Sequence, residues 1–93
     1  MAVTVSIRIP SVLRNLTGGK EMVPVQATTI MGAIDALDAA HSGIRAKIVG
    51  ADGKILRYVN LFVGEEDIRF LDGPATALKD GDLVDLVPAI AGG

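Results

Sequence analysis

The chain contains no cysteine and no tryptophan. Disulfides, thiolate metal sites and cysteine nucleophiles are therefore excluded, and any sulfur chemistry needs a carrier other than a thiol. Aromatic residues are scarce: Tyr58, Phe62 and Phe70 are the whole set. That is too few for a base-stacking platform for single-stranded nucleic acid, and the core must be aliphatic. No sign of charge dominates, with nine Lys and Arg against eleven Asp and Glu and a net charge of -2. These charges are spread along the chain, without the basic stripe that marks a nucleic-acid partner. No apolar run reaches the ~20 residues of a membrane-spanning helix. The N-terminus alternates polar and apolar residues instead of setting a basic segment before an apolar block, so nothing resembles a secretory signal. The expectation is a soluble, cytoplasmic protein with no membrane partner. With 93 residues, the chain is long enough for one core and too short for two ordinary domains.

What is present is periodic apolar pattern. Val3, Val5, Ile7 and Ile9 alternate with Thr4, Ser6 and Arg8, which predicts a strand with one buried face. Pro10 ends it, and a long loop with a turn at Thr17, Gly18 and Gly19 leads to a second alternating run through Val23, Val25 and Ala27. From Thr29 to about Ala40 the spacing becomes helical, with Ile30, Ile34 and Leu37 on one face. Thr28 or Thr29 supplies the cap, and Gly32 marks either a close approach or an imperfect helix. His41, Ser42 and Gly43 end the helix, and a connection with one short turn near Ile44 to Val49 follows.

In the second half, Arg57 to Val63 predicts a strand with Val59, Leu61 and Val63 on one face and Tyr58, Asn60 and Phe62 on the other. Gly64 to Asp67 reads as a polar turn into a short strand Ile68 to Phe70. Leu78 to Asp82 reads as a turn, and Leu83 to Val87 as a last strand stopped by Pro88. Strand, strand, helix, strand, strand, strand is an α+β order. It fits a β-grasp, ubiquitin-like fold in which one main helix packs across one face of a mixed sheet. Knowledge of that fold, not periodicity, places the first and last strands as parallel neighbours at its centre.

The candidate chemical groups divide sharply. Glu65, Glu66 and Asp67 suggest a metal site only by composition; no complementary ligand spacing surrounds them, and a charged hairpin turn explains them. Asp80 and Asp82 around Gly81 suit a tight turn. His41 has no second histidine or cysteine near it and reads as a helix-end residue. Gly18 and Gly19 lack the rest of a phosphate-binding loop. No catalytic residue and no metal ligand is assigned, and the chain itself is not expected to be an enzyme. If Val84 and Leu86 point inward, Phe62, Leu83 and Val87 share the opposite sheet face and make a candidate partner-docking patch. A merely scattered apolar surface is the competing reading.

After Pro88 the sequence reads Ala89, Ile90, Ala91, Gly92, Gly93. We divide the chain into a β-grasp domain over 1–88 and a flexible tail over 89–93. Fully extended, these last residues reach about 16 to 18 Å, enough to enter a partner's active site. Glycines without side chains let the backbone pass a narrow channel and leave a carboxylate unobstructed. Ordering such a tail costs about 1 to 2 kcal/mol per residue, which the folded body must offset by docking. The Gly-Gly end is thus expected to be a free, reactive terminus; taken by itself, a frayed end explains it as well.

The ending PAIAGG after a DGDLVDLVP strand, with IPSVLRNLTGG near the start, the HSGI segment and the YVNLFVGEEDIRF hairpin, resembles the ubiquitin-like sulfur-carrier family of the MoaD/ThiS type. The likeness runs nearly end to end and is greatest to the CysO-type branch serving cysteine biosynthesis. The resemblance implies that an ATP-dependent activating enzyme adenylates the Gly93 carboxylate, which is then converted to a thiocarboxylate, Gly92 giving access. It further implies a separate pyridoxal phosphate-dependent cysteine synthase, in which the thiocarboxylate attacks an aminoacrylate, and a zinc-dependent peptidase that releases cysteine. ATP, pyridoxal phosphate and zinc would belong to those partners, with no cofactor on this chain. The alternatives are the small subunit of molybdopterin synthase with its large subunit as partner, a thiamine or tRNA-thiolation sulfur carrier, a ubiquitin-like modifier joined to lysines, and a non-covalent β-grasp interaction module.

Overall fold

A computed structural model describes residues 3–88. Five strands, β1 (Val3–Arg8), β2 (Met22–Ala27), β3 (Val59–Val63), β4 (Glu66–Asp67) and β5 (Leu83–Pro88), form one sheet in the order β2-β1-β5-β3-β4. β1 and β5 are parallel, and the other neighbours are antiparallel. The helix α1 (Ile30–Ala40) supplies Ile30, Ala33, Ile34 and Leu37 to the core. The sheet meets them with Val5, Ile7, Val25, Leu61, Val84 and Leu86. This is the predicted β-grasp arrangement, with the parallel pair at its centre and a hydrophobic core of aliphatic side chains. Among the described residues no helix is long and apolar enough to cross a membrane.

Local chemistry sets the helix start. Thr29 is the N-cap, and its hydroxyl accepts a hydrogen bond from the Gly32 N–H at 3.1 Å, an interaction worth about 1 kcal/mol in a typical helix. A Cβ built on Gly32 would lie 3.3 Å from the Thr29 Oγ1 and 3.5 Å from the Ala27 Cβ. Gly32 therefore marks close packing between the cap, β2 and the first helical turn. At the other end the His41 N–H donates to the Leu37 carbonyl at 2.8 Å. The Asp38 carboxylate accepts from the Gly43 and Arg45 N–H groups at 3.0 Å each, folding the HSGI segment back so that Ile44 is fully buried.

Three expectations need correction. The fourth strand is Glu66–Asp67, and the segment assigned to it, Ile68–Phe70, is a 3-10 turn. The cause is Asp67, whose carboxylate accepts from the Arg69 N–H at 2.9 Å and so caps a helical turn where alternation suggested a strand. The long loop after Pro10 also contains a seven-residue 3-10 helix, Ser11–Thr17. It closes on Gly18 at φ 65°, a left-handed conformation suited to glycine. Thr17 is buried there, its hydroxyl bonded to the Arg14 and Lys20 carbonyl oxygens at 3.2 and 2.9 Å. Finally, Pro88 does not stop β5 but is its last residue, in register with Val59.

Candidate functional site: the exposed sheet face and the end of the central strand

The turn before β5 fixes where that strand runs. The Gly81 N–H donates to the Thr4 carbonyl at 2.8 Å, the Thr4 N–H to the Asp80 carboxylate at 3.0 Å, and the Ser6 N–H to the Asp82 carbonyl at 3.0 Å. The Asp82 carboxylate also accepts from the Lys79 N–H at 2.8 Å. Gly81 sits at φ 88°, where a side chain would be strained. Asp80 and Asp82 thus latch the start of β5 to β1. Parallel pairing of β5 with β1 runs over Ser6–Leu83, Ile7–Val84 and Arg8–Asp85, while pairing with β3 continues to Val59–Pro88.

β1 parts from β5 at Pro10 and enters the 3-10 helix, which leaves a groove of about 480 Å³ beside the last residues of β5. Val12, Leu13 and Leu16 of the 3-10 helix line it together with Tyr58, Leu86, Pro88 and Lys47. Periodicity does not reveal it, because its lining comes from segments far apart in the chain. Val12, Leu13 and Leu16 at one-turn spacing were the signal within the loop.

On the sheet face away from the core, Phe62 lies opposite Asp85 and diagonal to Leu83 and Val87. The three apolar residues proposed as a patch therefore do share one face, with Val84 and Leu86 buried on the other. Val87 is 38% exposed, while Phe62 and Leu83 are half-buried. A feature absent from the sequence reading runs through the patch: the Arg8 Nη1 meets the Asp85 carboxylate at 3.2 Å. Phe62, Asp85 and Arg8 so form one row across three strands. The ion pair is partly exposed and adds little to stability, but it sets a fixed polar stripe between the apolar side chains.

The remaining candidates scatter. His41 is at the helix end, Asp80 and Asp82 are in the latch, and Glu65 to Asp67 lie at the β3–β4 hairpin. Hydrogen bonds from the Arg69 side chain and backbone hold the Asp67 carboxyl below the usual carboxylate range. Among the described residues no group of three His, Asp or Glu side chains is placed to hold a metal ion. Gly92 and Gly93 lie outside the described residues.

The model of the ThiS family matches residues 7–93. This chain belongs to the ThiS family. The match takes in the last two residues of β1, the latch, β5 and the Gly92-Gly93 end. The sulfur carrier protein CysO of Mycobacterium tuberculosis is 43% identical over 91 residues, which cover 96% of this chain and 98% of that protein. A crystal structure of the Amycolatopsis orientalis BexX/CysO complex contains a chain that superposes with a TM-score of 0.90 at 39% identity, covering 96% of this chain and 99% of the other. The small archaeal modifier protein 3 of Haloferax volcanii is 35% identical over 65 residues, or 70% of each chain. The ubiquitin-like, CysO-like sulfur-carrier type is therefore the class in which this member of the ThiS family falls.

Proposed function

We propose that this ThiS-family protein is a sulfur carrier charged at Gly93 and that it donates its sulfur for cysteine biosynthesis. The observation that carries the proposal is the family match running through Gly93, on a fold whose central strand delivers the chain at Pro88. Near full-length similarity to CysO supports the choice of pathway.

The chemistry follows from the terminal carboxylate. A carboxylate is a poor electrophile. An oxygen of the Gly93 carboxylate attacks the α-phosphorus of ATP on an activating enzyme and pyrophosphate leaves. A sulfur donor then attacks the acyl carbon of the adenylate and AMP departs, leaving a thiocarboxylate. That group is ionised near neutral pH and is a sulfur nucleophile on a chain with no thiol. Gly92 admits the end to narrow active sites. A pyridoxal phosphate-dependent synthase presents the acceptor, and a zinc-dependent peptidase cleaves the product from Gly93. This chain contributes the carried group and a docking surface, while catalysis resides in the partners. Phe62, Leu83 and Val87 are the docking residues, since their face lies beside the strand that leads to Gly93. Deleting Gly93 alone should abolish ATP–pyrophosphate exchange with the activating enzyme while the circular-dichroism spectrum stays unchanged. Exchange at the full-length rate by the folded, shortened chain would refute the assignment.

A second reading, attachment through Gly93 to lysines of other proteins, is favoured by the similarity to the archaeal modifier protein. Isopeptide-linked adducts that disappear on deletion of Gly93 distinguish it.

A further inference from the structure

A second groove, about 520 Å³ in volume, opens between the 53–57 segment, β3 and the turn after β4. Its floor is aliphatic: Ile55, Leu56, Val59, Leu61, Ile68 and Pro74. Its rim carries Lys54, Arg57 and Arg69 against one carboxylate, Asp67. Three cations on one groove contrast with the net charge of -2 of the chain. Arg69 is held in place by Asp67, with Nη2 at 2.7 Å and Nε at 3.2 Å from its Oδ2. Lys54 and Arg57 are exposed and have no ion pair among the described residues.

We propose that this groove docks an acidic segment of a partner protein, with aliphatic side chains on the floor and carboxylates against Lys54 and Arg57. The floor calls for an apolar ligand and the rim for an anionic one. A phosphate group is a poorer match, because the turn's backbone donors are already used: the Gly53 N–H bonds the Gly50 carbonyl at 3.0 Å and the Lys54 N–H bonds the Asp52 carboxylate at 3.0 Å. The position is also apt. Val59 lines the groove and is the register partner of Pro88, so the groove lies beside the end of β5. The chemistry of the groove does not depend on whether Gly93 carries sulfur.

The test is a titration of the full chain, labelled for amide nuclear magnetic resonance, with a synthetic acidic-aliphatic peptide of sequence Glu-Asp-Leu-Ile-Glu-Leu-Asp-Glu. Shifts should concentrate at Lys54–Val59 and Ile68–Arg69. Binding should weaken at least ~10-fold in the Lys54→Ser, Arg57→Ser double variant, and again as salt shortens the screening length. Both substituted side chains are exposed, so the fold should persist. The proposal is overturned by undiminished affinity in the folded double variant, by the absence of shifts at the groove, or by equal shifts there with inorganic phosphate alone. Concentration-dependent shifts at these residues without peptide would seat a second copy in the groove and overturn the partner assignment.

Discussion

The two faces of β5 share one backbone and have opposite fates. Val84 and Leu86 are 1% and 2% exposed against the helix side, whereas Leu83, Asp85 and Val87 stand on the other side with Phe62 of β3 and Arg8 of β1. The inward positions are occupied by packing. The outward ones are left with a partly exposed ion pair, which adds little to stability, and with three apolar groups that lie outside the core. A carrier charged at its last residue, as proposed, needs both, because the reacting group must be presented by a rigid body.

The comparison is broken most forcefully from the inside. Leu86→Ala should cost about 2–5 kcal/mol of folding stability, as a cavity in a packed core does, while Val87→Ser one residue away should change it by about 0.5 kcal/mol or less. Chemical denaturation of the pair checks this, and equal losses would erase the distinction between faces. A smaller effect falls on recognition. Phe62→Asp would place two carboxylates opposite each other, at Asp85, and confound binding with repulsion. Phe62→Ser avoids that, and should lower affinity for the activating enzyme about tenfold or more with a stability change of about 1 kcal/mol or less. Calorimetry or surface binding gives the first and thermal melting the second.

The smallest expected effect lies at the sheet edge. Arg69 depresses the Asp67 pKa in the folded protein, so the stabilisation is present above the unfolded value of about 3.9 and is lost as pH falls through the lower folded value. Asp67→Asn should therefore flatten the acid limb of the stability–pH profile below about pH 4. An identical acid limb in the variant would remove Asp67 from the account.

Much of this was legible in the residues. Alternation in Val3 to Ile9 and Arg57 to Val63 predicted strands whose faces the structure reproduces over Val3–Arg8 and Val59–Val63, with Arg57 and Tyr58 in a turn instead, and helical spacing located α1. These segments are long enough for apolar period to decide. Glu66 to Phe70 is not: two residues of strand and a capped turn are set by one Asp67 hydrogen bond, which no period records. The outer patch was readable as a set of residues, but the Arg8–Asp85 pair joins positions 77 apart in sequence and depends on strand register. Both grooves are bounded by segments brought together only by the fold. Knowledge of the β-grasp fold supplied the parallel central pair, and the family resemblance supplied the role proposed for Gly93; periodicity contains neither.

The measurement that tests the central claim most directly is the intact mass of the full chain after incubation with ATP, a sulfide donor and the activating enzyme. The account predicts replacement of one oxygen by sulfur, located at Gly93 by fragmentation and absent when ATP is withheld. An unchanged mass with an enzyme that charges other carriers of this family, or sulfur found anywhere but Gly93, would contradict it.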